Sequence, residues 1–460
     1  MLVPSDLVGF PLASPWIEHV KPYRTPRRRL RVAVPCAGVY GSKRAFSNLG
    51  SEAIACNIYD IEADYKDVLP TLLGDESDRP HLGPIAGDVM RVPLSSLTSC
   101  DLLVAGPPCP PWAGNGYKLS QSDLRCSIFD RILQWICYLS ECGGLVGVLL
   151  ENVVGITAAW NNKEPWMDAC LHKLVTHLPD WSWEVRKLDA THYGLCQNRV
   201  RIILVGLRKV VSPNIPASIS GWTRNTGPCL KQILNPHLPN ATRSDLRRQI
   251  RCNLTEWELR LKVLSKHGEL HAHDLAVISV DRDPNKSFNS RVCYDSLPTL
   301  TCHNKYLFVI DVNELWVADC DKKGIFRFVH PLERFAAQGL DLDMALHIHP
   351  DIHVKATGNA YPPPVIAAVL VPLIDVVGQW ADIMNWPPDE LMLTKAAHGV
   401  RKAKAFKQVR PKAKSKQKVA KMHPNKVSMT RLQMCAVRLL RILPRACLRI
   451  LSDHSLLWFV

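Results

Sequence analysis

Residues 101–116 have the sequence DLLVAGPPCPPWAGNG, an apolar run that ends in a proline-rich turn around a single thiol, Cys109. The apolar run predicts a buried strand, and the four prolines around Cys109 fix backbone φ angles and stiffen the turn. Open α/β sheets place their active sites at the carboxyl ends of strands, so a rigidly held thiol there is a candidate nucleophile. An ordinary buried cysteine beside a proline turn explains the same stretch equally well when it is taken alone.

Strands and helices alternate on both sides of this stretch. From Leu30 the chain contains RVAVPCAG, KRAFSNLG and EAIACNIYD, which predict a strand with a small-residue turn, a helix and a second strand. Further strands are predicted at DLLVAG, GLVGVLLEN and RIILVGL, and a helix is predicted at IFDRILQWICYLSECGG. Apolar strands that alternate with helices predict an α/β fold with a parallel, doubly wound sheet.

Composition divides the rest of the chain. We predict an irregular N-terminal arm over residues 1–29, an α/β domain over 30–208 and a second, smaller domain over 209–325. The chain then returns to the first domain over 326–380 through the apolar helix VIAAVLVPLIDVV. Residues 381–460 form a basic tail that is predicted to be disordered and that ends in a C-terminal amphipathic segment.

The net charge of +15 resides in this tail. Residues 391–460 hold 17 Lys and Arg against one acid, and the preceding 390 residues hold 40 basic and 41 acidic residues. The tail therefore favours contact with nucleic acid or nuclear import, with a solubilising segment as the alternative. Because the body is nearly neutral, its charge identifies no partner.

Cysteine usage and hydropathy place the chain among intracellular proteins. The sixteen cysteines include no CxxC pair, which argues against a zinc ribbon and predicts reduced thiols and no metal site. We recognise no secretory signal and no apolar run near the ~20 residues that span a membrane. We therefore expect neither secretion nor membrane insertion.

Small and acidic residues follow the first predicted strands. Ala37, Gly38 and Gly41 come after the first strand, where small residues let a nucleoside cofactor approach the backbone and the helix N-terminus. An ordinary tight turn is the alternative. Asp60 ends the second strand and is placed to bind ribose hydroxyls, with Glu62 as a substitute. Asp88, in a short turn, suits an adenine amino group.

Charged residues also end the later strands. Glu151 closes the strand GLVGVLL, and a carboxylate at the end of a buried strand is costly unless it is paired or functional. The following Asn152 could be a helix N-cap. In QNRVR, residues 197–201, alternation places Arg199 and Arg201 on one face of an entering strand. Two guanidinium groups would converge there, unless this is a solvated strand edge.

In this order the motifs resemble the cytosine-C5 DNA methyltransferase family. The resemblance covers residues 30–377 approximately and rests on the small-residue turn, an acid, GDV, PPCPPW, ENV, QNRVR and GNAYPPPV. HPLERFAAQG, residues 330–339, resembles the penultimate motif of the family, and RVCYDSLPTLTC, residues 291–302, resembles the segment before it. The resemblance implies a Rossmann-like, S-adenosylmethionine-dependent methyltransferase domain with target recognition in residues 209–325.

The resemblance also implies roles for single residues. Cys109 would add to C6 of a cytosine flipped out of duplex DNA, and Glu151 would hold and protonate N3. Arg199 and Arg201 would orient the base. S-adenosylmethionine would then methylate C5, and loss of the C5 proton would expel Cys109. Residues of the cofactor site would be Ala37, Gly38, Gly41, Asp60, Asp88, Pro107, Asn359 and Ala360.

Two departures from the family pattern concern the cofactor site. Tyr40 stands where the family has glycine and could narrow the pocket, and Ala360 stands where serine is usual. The alternatives to a DNA methyltransferase are a transfer-RNA cytosine-C5 methyltransferase and a catalytically retired nucleic-acid-binding scaffold. The long interval 209–325 favours DNA, and the intact set of Cys109, Glu151 and Arg201 favours an active enzyme. From the basic tail we expect a nuclear protein.

Overall fold

The computed structural model of the protein describes residues 30–38, 54–59, 87–113, 123–142, 144–159, 164–216, 228–235, 247–270, 272–281, 283–285, 291–312 and 327–383. The predicted N-terminal arm and the basic tail beyond residue 383 lie outside these ranges. So do four residues of the expected cofactor region, Tyr40, Gly41, Asp60 and Glu62.

A six-stranded sheet carries the motifs. Its strands are β1 (Arg31–Pro35), β2 (Ile54–Tyr59), β3 (Leu102–Ala105), β4 (Gly147–Val153), β5 (Trp181–Asp189) and β6 (Val200–Arg208). They lie in the order β2-β1-β3-β4-β6-β5, in which β1 to β4 are parallel and β6 runs antiparallel to both neighbours. The predicted parallel sheet is confirmed, and the antiparallel pair at one edge is an addition that the alternation did not predict.

Helices cover both faces of this sheet, which explains its apolar strands. On one face Leu103 and Val148 share a core with the first two helices, and on the other Leu102 and Leu149 share a core with the last. This two-sided cover makes the sheet doubly wound. The helices are α1 (Cys126–Cys142), α2 (Trp166–His177), α3 (Leu230–Ile233), α4 (Arg248–Lys266), α5 (Pro331–Gln338), α6 (Leu342–Leu346), α7 (His353–Asn359) and α8 (Pro363–Ile383).

The helix α8 is the apolar segment predicted at residues 365–377. Its stretch Pro363–Trp380 is long and apolar enough to cross a membrane by length and composition, and 72% of that stretch is buried inside the protein. The prediction that no segment has this length is therefore wrong. The burial has a simple cause, since α8 closes one face of the six-stranded sheet as a core helix does.

A second sheet forms within the interval predicted as the smaller domain and extends just beyond it. Its strands are β7 (Leu275–Ser279), β8 (Cys293–Tyr294), β9 (Leu307–Asp311) and β10 (Arg327–Phe328), all antiparallel, in the order β10-β9-β7-β8. The helix α4 packs on one face, where Trp257 Nε1 donates a hydrogen bond to the Ser279 carbonyl oxygen at 3.2 Å. The other face joins the core of the first domain through Val277 and Val309. The basic residues of α4 thus lie on the side away from the first sheet.

The close packing of Gly155 on Trp112 gives a test of the fold. A Cβ at Gly155 would lie 1.9 Å from the Trp112 carbonyl oxygen. We expect Gly155→Ala to lower the free energy of unfolding by roughly 1–3 kcal/mol in urea denaturation, because overpacking forces backbone shifts. Val175→Ala, at an exposed helix position, should change it by less than about 0.5 kcal/mol. Equal stability of the two variants would contradict this packing.

Candidate active site

The turn that presents Cys109 is anchored by its own hydrogen bonds and by aromatic packing. Both Trp112 N and Ala113 N donate to the Cys109 carbonyl oxygen at 3.0 Å. The buried ring of Trp112 meets Phe129 of α1 edge-on, with ring centroids 6.0 Å apart, and lies 5.3 Å from Trp166 of α2. The turn is therefore fixed on two helices as well as by its prolines.

The neighbouring ends of β3 and β4 bring the PPC and ENV motifs together. Asn152 Nδ2 donates to the Pro107 carbonyl oxygen at 3.1 Å. A Cβ on Gly106 would lie 3.0 Å from the Tyr361 ring and 3.5 Å from Glu151 Oε2, so glycine makes room for the ring, and the carboxylate lies within van der Waals distance of the turn. Asn152 therefore ties the two motifs to each other, whereas its residue type alone suggested a helix cap.

Glu151 and Arg201 form a buried ion pair. Arg201 Nε lies 2.8 Å from Glu151 Oε1, and the side chains are 9% and 11% exposed, respectively. The pairing of β4 with β6 sets Val153 opposite Arg201, which makes Glu151 and Arg201 diagonal neighbours on one face of the sheet. The antiparallel strand β6 is thus the element that brings the guanidinium to the carboxylate.

The guanidinium of Arg199 mostly donates hydrogen bonds to backbone carbonyl groups. Its Nη1 donates to Leu300 O at 2.9 Å, and its Nη2 donates to Ala360 O at 2.5 Å and Gly358 O at 3.4 Å. Burial lowers the pKa of Arg199 to about 9, and the charge of Arg201 adds to this shift. Among the described residues its Nε has no hydrogen-bond partner. Arg199 therefore joins three chain segments from a fully buried position.

Two glutamines reinforce this junction. Gln197 Oε1 accepts a hydrogen bond from Leu300 N at 3.0 Å, and Gln197 Nε2 donates to Gln338 Oε1 at 2.6 Å. Gln338 Nε2 donates in turn to Ala360 O at 2.7 Å. All of these groups are buried, so each bond satisfies polar atoms that would otherwise be costly to remove from water. The two arginines that were expected to converge therefore have different partners. Arg199, together with Gln197, holds backbone groups of the surrounding loops, whereas Arg201 pairs with Glu151.

Arg334 of α5 is a buried cation that sequence reasoning missed. It donates to Asn304 O at 2.8 Å and Thr301 O at 3.2 Å. Burial lowers its pKa to about 10. A Cβ on Gly358 would lie 2.2 Å from Cys302 N, so the loop held by Arg334 rests directly on the GNA segment. The sequence feature that could have revealed its burial is a charged residue between Leu332 and Phe335, which face the core.

The surroundings of Cys109 act on its thiol in opposite directions. Burial raises the pKa of Cys109 above its ordinary value, and the negative charge of Glu151 adds to this rise. Arg201 and Arg199 oppose it, and Cys302 raises it slightly further. The thiol is therefore mainly protonated at neutral pH in the free protein. Cys302, which no motif singled out as a site residue, lies close enough to Cys109 to affect its pKa.

The described residues of the expected cofactor site surround the switch point of the sheet. The strand order reverses between β1 and β3, where open α/β sheets bind nucleotides. Gly38 has φ +55°, and no described residue lies within 4 Å of the position of a Cβ there, beside the buried Ala37. Pro107 follows β3 at the same edge of the sheet. The small residues at this switch point fit the close approach of a nucleoside cofactor.

The remaining cofactor candidates differ in their surroundings. Asp88 Oδ1 accepts a hydrogen bond from Met90 N at 2.9 Å, so its carboxylate orders its own turn. Asn359 is exposed at the end of α7 and caps no following helix, since α8 begins only at Pro363. Ala360 is buried, and its carbonyl oxygen is occupied by the junction described above.

Comparison with known proteins gives a family and several relatives. A model of the C-5 cytosine-specific DNA methylase family matches residues 36–374. The chain is similar to the type II methyltransferase M.NlaIV of Neisseria lactamica, 26% identical over 195 residues that cover 38% of this chain and 44% of the relative. It is also similar to M.NaeI of Lentzea aerocolonigenes, 27% identical over 201 residues and 43% of each chain. The chain spans less than half the length of these curated relatives.

Solved structures with a similar fold cover more of the chain. A DNA modification methyltransferase encoded within a prophage (E. coli) matches with a TM-score of 0.49 at 16% identity, over 75% of this chain and 99% of the other. A DNMT2 variant from Spodoptera frugiperda matches with a TM-score of 0.47 at 14% identity, over the same shares of the two chains.

The charges around Cys109 predict how fast it reacts with iodoacetamide. Because the reactive species is the thiolate and the thiol pKa is raised, the rate should climb about tenfold per pH unit between pH 7 and 9. Glu151→Gln removes the charge that raises this pKa and should speed labelling at pH 8, whereas Arg201→Gln should slow it. Peptide mass spectrometry measures labelling at Cys109 itself.

Glu184→Gln is the matched control for this prediction. It removes a carboxylate that is paired with Arg186 on β5, away from the charges that act on Cys109. The labelling rate of Cys109 should therefore equal that of the wild type. Equal rates in Glu151→Gln and the wild type would show that Glu151 does not govern the thiol.

Proposed function

The chain belongs to the C-5 cytosine-specific DNA methylase family, and on that premise we propose that it transfers a methyl group from S-adenosylmethionine to C5 of a cytosine in DNA. Membership confirms the family that the motifs predicted, and it supports the expected fold class, enzyme class and methyl donor. The observation that carries the proposal is the meeting of the Cys109 turn with the buried pair of Glu151 and Arg201.

Cys109 is the proposed nucleophile. Its thiolate forms a bond to C6 of the cytosine, the electrons of the C5–C6 double bond move toward C5, and Glu151 donates a proton to N3. When bound, S-adenosylmethionine supplies an electrophilic methyl group. Loss of the C5 proton to solvent and return of the N3 proton to Glu151 then restore the cytosine ring and release the thiolate. Arg201 orients Glu151, and Arg199 holds the surrounding chain segments in place for the base.

The same pair explains how a protonated thiol becomes reactive. The negative charge of Glu151 raises the pKa of Cys109, behind burial as the larger cause. Arg201 and Arg199 act in the opposite direction and favour the thiolate. In the proposed reaction their positive charges are therefore what makes the buried thiol available as a nucleophile.

DNA is the proposed substrate, and the target cytosine must leave the duplex. C5 and C6 are stacked inside a double helix, so a base that reaches Cys109 has to be flipped outward. The second sheet and α4, which fill the interval between β6 and α5, supply a domain large enough for target recognition. The named curated relatives are type II methyltransferases, which agrees with a DNA substrate.

Covalent trapping tests this proposal. The full-length protein and S-adenosylmethionine are incubated with a library of duplexes that carry one 5-fluorocytosine between randomised flanks, and separately with 5-fluorocytosine transfer RNA. Fluorine at C5 blocks the final elimination, so we expect a protein–DNA adduct that survives denaturing electrophoresis. Cys109→Ser, with nearly the same shape, should form none.

Each alternative gives a different result in the same assay. An adduct with transfer RNA alone would make this chain an RNA methyltransferase. No adduct with either nucleic acid, from protein that is folded by circular dichroism, would favour a retired binding scaffold. Sequencing of the trapped duplexes gives the preferred flanking bases.

For the basic tail we propose non-specific contact with nucleic acid, with nuclear localisation as a further prediction. A segment of seventeen cations and one acid releases counterions from phosphates, so it should strengthen binding most at low salt. Deletion of residues 391–460 should weaken duplex binding and flatten its salt dependence in fluorescence anisotropy. Trapping at saturating duplex should persist, and its loss would mean that the tail takes part in catalysis.

A further inference from the structure

Arg125 stands at the start of α1, beside the turn that carries Cys109. It directly precedes the first residue of the helix and lies one helical turn before Phe129. Phe129 packs edge-on against Trp112, three residues after Cys109. The aromatic contact thus fastens the start of α1 to the nucleophile turn. In agreement with this position, hydrogen bonding to Asp123 raises the pKa of Arg125, and the charge of Cys109 contributes to the rise.

Asp123 holds this guanidinium in one orientation. Arg125 Nε donates to Asp123 Oδ1 at 2.9 Å and Nη2 donates to Oδ2 at 2.6 Å, a bidentate pair. Arg125 N also donates to Asp123 Oδ1 at 2.9 Å. Within the part of the chain that the structure describes, the guanidinium has no further hydrogen-bond partner, and its Nη1 takes no part in the pair with Asp123.

The two charges of this pair are unequally exposed. The Asp123 side chain is 7% exposed, whereas that of Arg125 is 43% exposed. A ligand that arrives from solvent therefore meets the cation and not the carboxylate. The first turn of α1 contains no acidic residue, so the positive end of the helix dipole adds to the same potential. The site is suited to an anion with oxygen acceptors.

We propose that Arg125 binds a phosphodiester group of the nucleic-acid strand next to the target cytosine, an inference that rests on the proposed function. A base bonded to Cys109 brings its own sugar and flanking phosphates to the Cys109 turn, beside which Arg125 stands. Asp123 is then a positioning residue that presents the guanidinium. The contact fixes the backbone of the flipped nucleotide and leaves its base to Glu151.

A purely structural role for the pair predicts different behaviour. If Asp123 and Arg125 only cap α1, loss of the guanidinium lowers stability without regard to the charge of the substrate. If Arg125 binds phosphate, replacing Arg125 and neutralising the phosphate that it contacts should weaken binding equally. The two changes together should weaken binding no more than either change alone. A single uncharged methylphosphonate placed at successive positions distinguishes the two.

The test uses the full-length protein and a duplex recovered from covalent trapping, with one methylphosphonate at each position within three nucleotides of the 5-fluorocytosine. Trapping is followed against duplex concentration. We expect Arg125→Gln to raise the half-saturating concentration about tenfold and to reduce the salt slope of binding by about 1. In the wild type, one methylphosphonate position should cause a similar rise, and Arg125→Gln should lose nothing more there.

Two further variants keep the result interpretable. Arg125→Lys keeps the charge without the bidentate pair and should remain sensitive to the same methylphosphonate, with a smaller rise in half-saturating concentration. Lys173→Gln removes a cation that lies 6.0 Å from the Trp166 ring in the same aromatic cluster and should behave as the wild type. Circular dichroism confirms that each variant is folded.

The outcomes separate this inference from the function on which it rests. The phosphate contact would be overturned if no methylphosphonate changed trapping by the wild type. It would also be overturned if, at every position, the methylphosphonate weakened binding by Arg125→Gln as much as it weakens binding by the wild type. Either result leaves the methyltransferase proposal intact. A wild-type protein that traps no cytosine substrate would overturn the proposed function and this inference with it.

Discussion

The buried ion pair of Glu151 and Arg201 is the interaction on which the site depends. Taking two charges out of water is costly, and their attraction repays this only in good geometry. Here the geometry comes from the sheet, because antiparallel pairing of β4 with β6 makes the two residues diagonal neighbours. The Nε–Oε1 distance of 2.8 Å is the result. The reversed strand β6, which lies between β4 and the edge strand β5, is thus what brings the guanidinium to the carboxylate.

Buried arginines also assemble the site from distant parts of the chain. Arg199 binds carbonyl groups of residues 300, 358 and 360, and Arg334 binds those of residues 301 and 304. Five donors on a rigid plane suit arginine to such a junction. Burial lowers both pKa values, to about 9 and about 10, so desolvation has a cost that the hydrogen bonds offset. The loop of residues 300–304 is thereby held against the strand that carries Arg201.

The sequence predicted what depends on local pattern and missed what depends on tertiary contact. Strand periodicity and small-residue turns located β1, β3, β4 and β6 and the motif residues at their ends. The antiparallel direction of β6, the scaffold role of Arg199 and the burial of Arg334 have no local signature, because each is defined by a partner 30 or more residues away. The pair of Asp123 and Arg125 is local, yet its importance comes from Trp112 and Phe129, which fasten it to the Cys109 turn.

The charges around Cys109 set the conditions that the proposed reaction has to meet. Burial and the Glu151 charge raise the pKa of Cys109, whereas Arg201 and Arg199 lower it. In the proposed reaction a base that reaches the thiol adds to its burial, so the two guanidinium groups are the charges that favour the thiolate when the bond to C6 forms. Arg125, which a buried carboxylate orients, is proposed to hold the strand during this step. The buried arginines that assemble the site are therefore also the groups on which the reactivity of the proposed nucleophile depends.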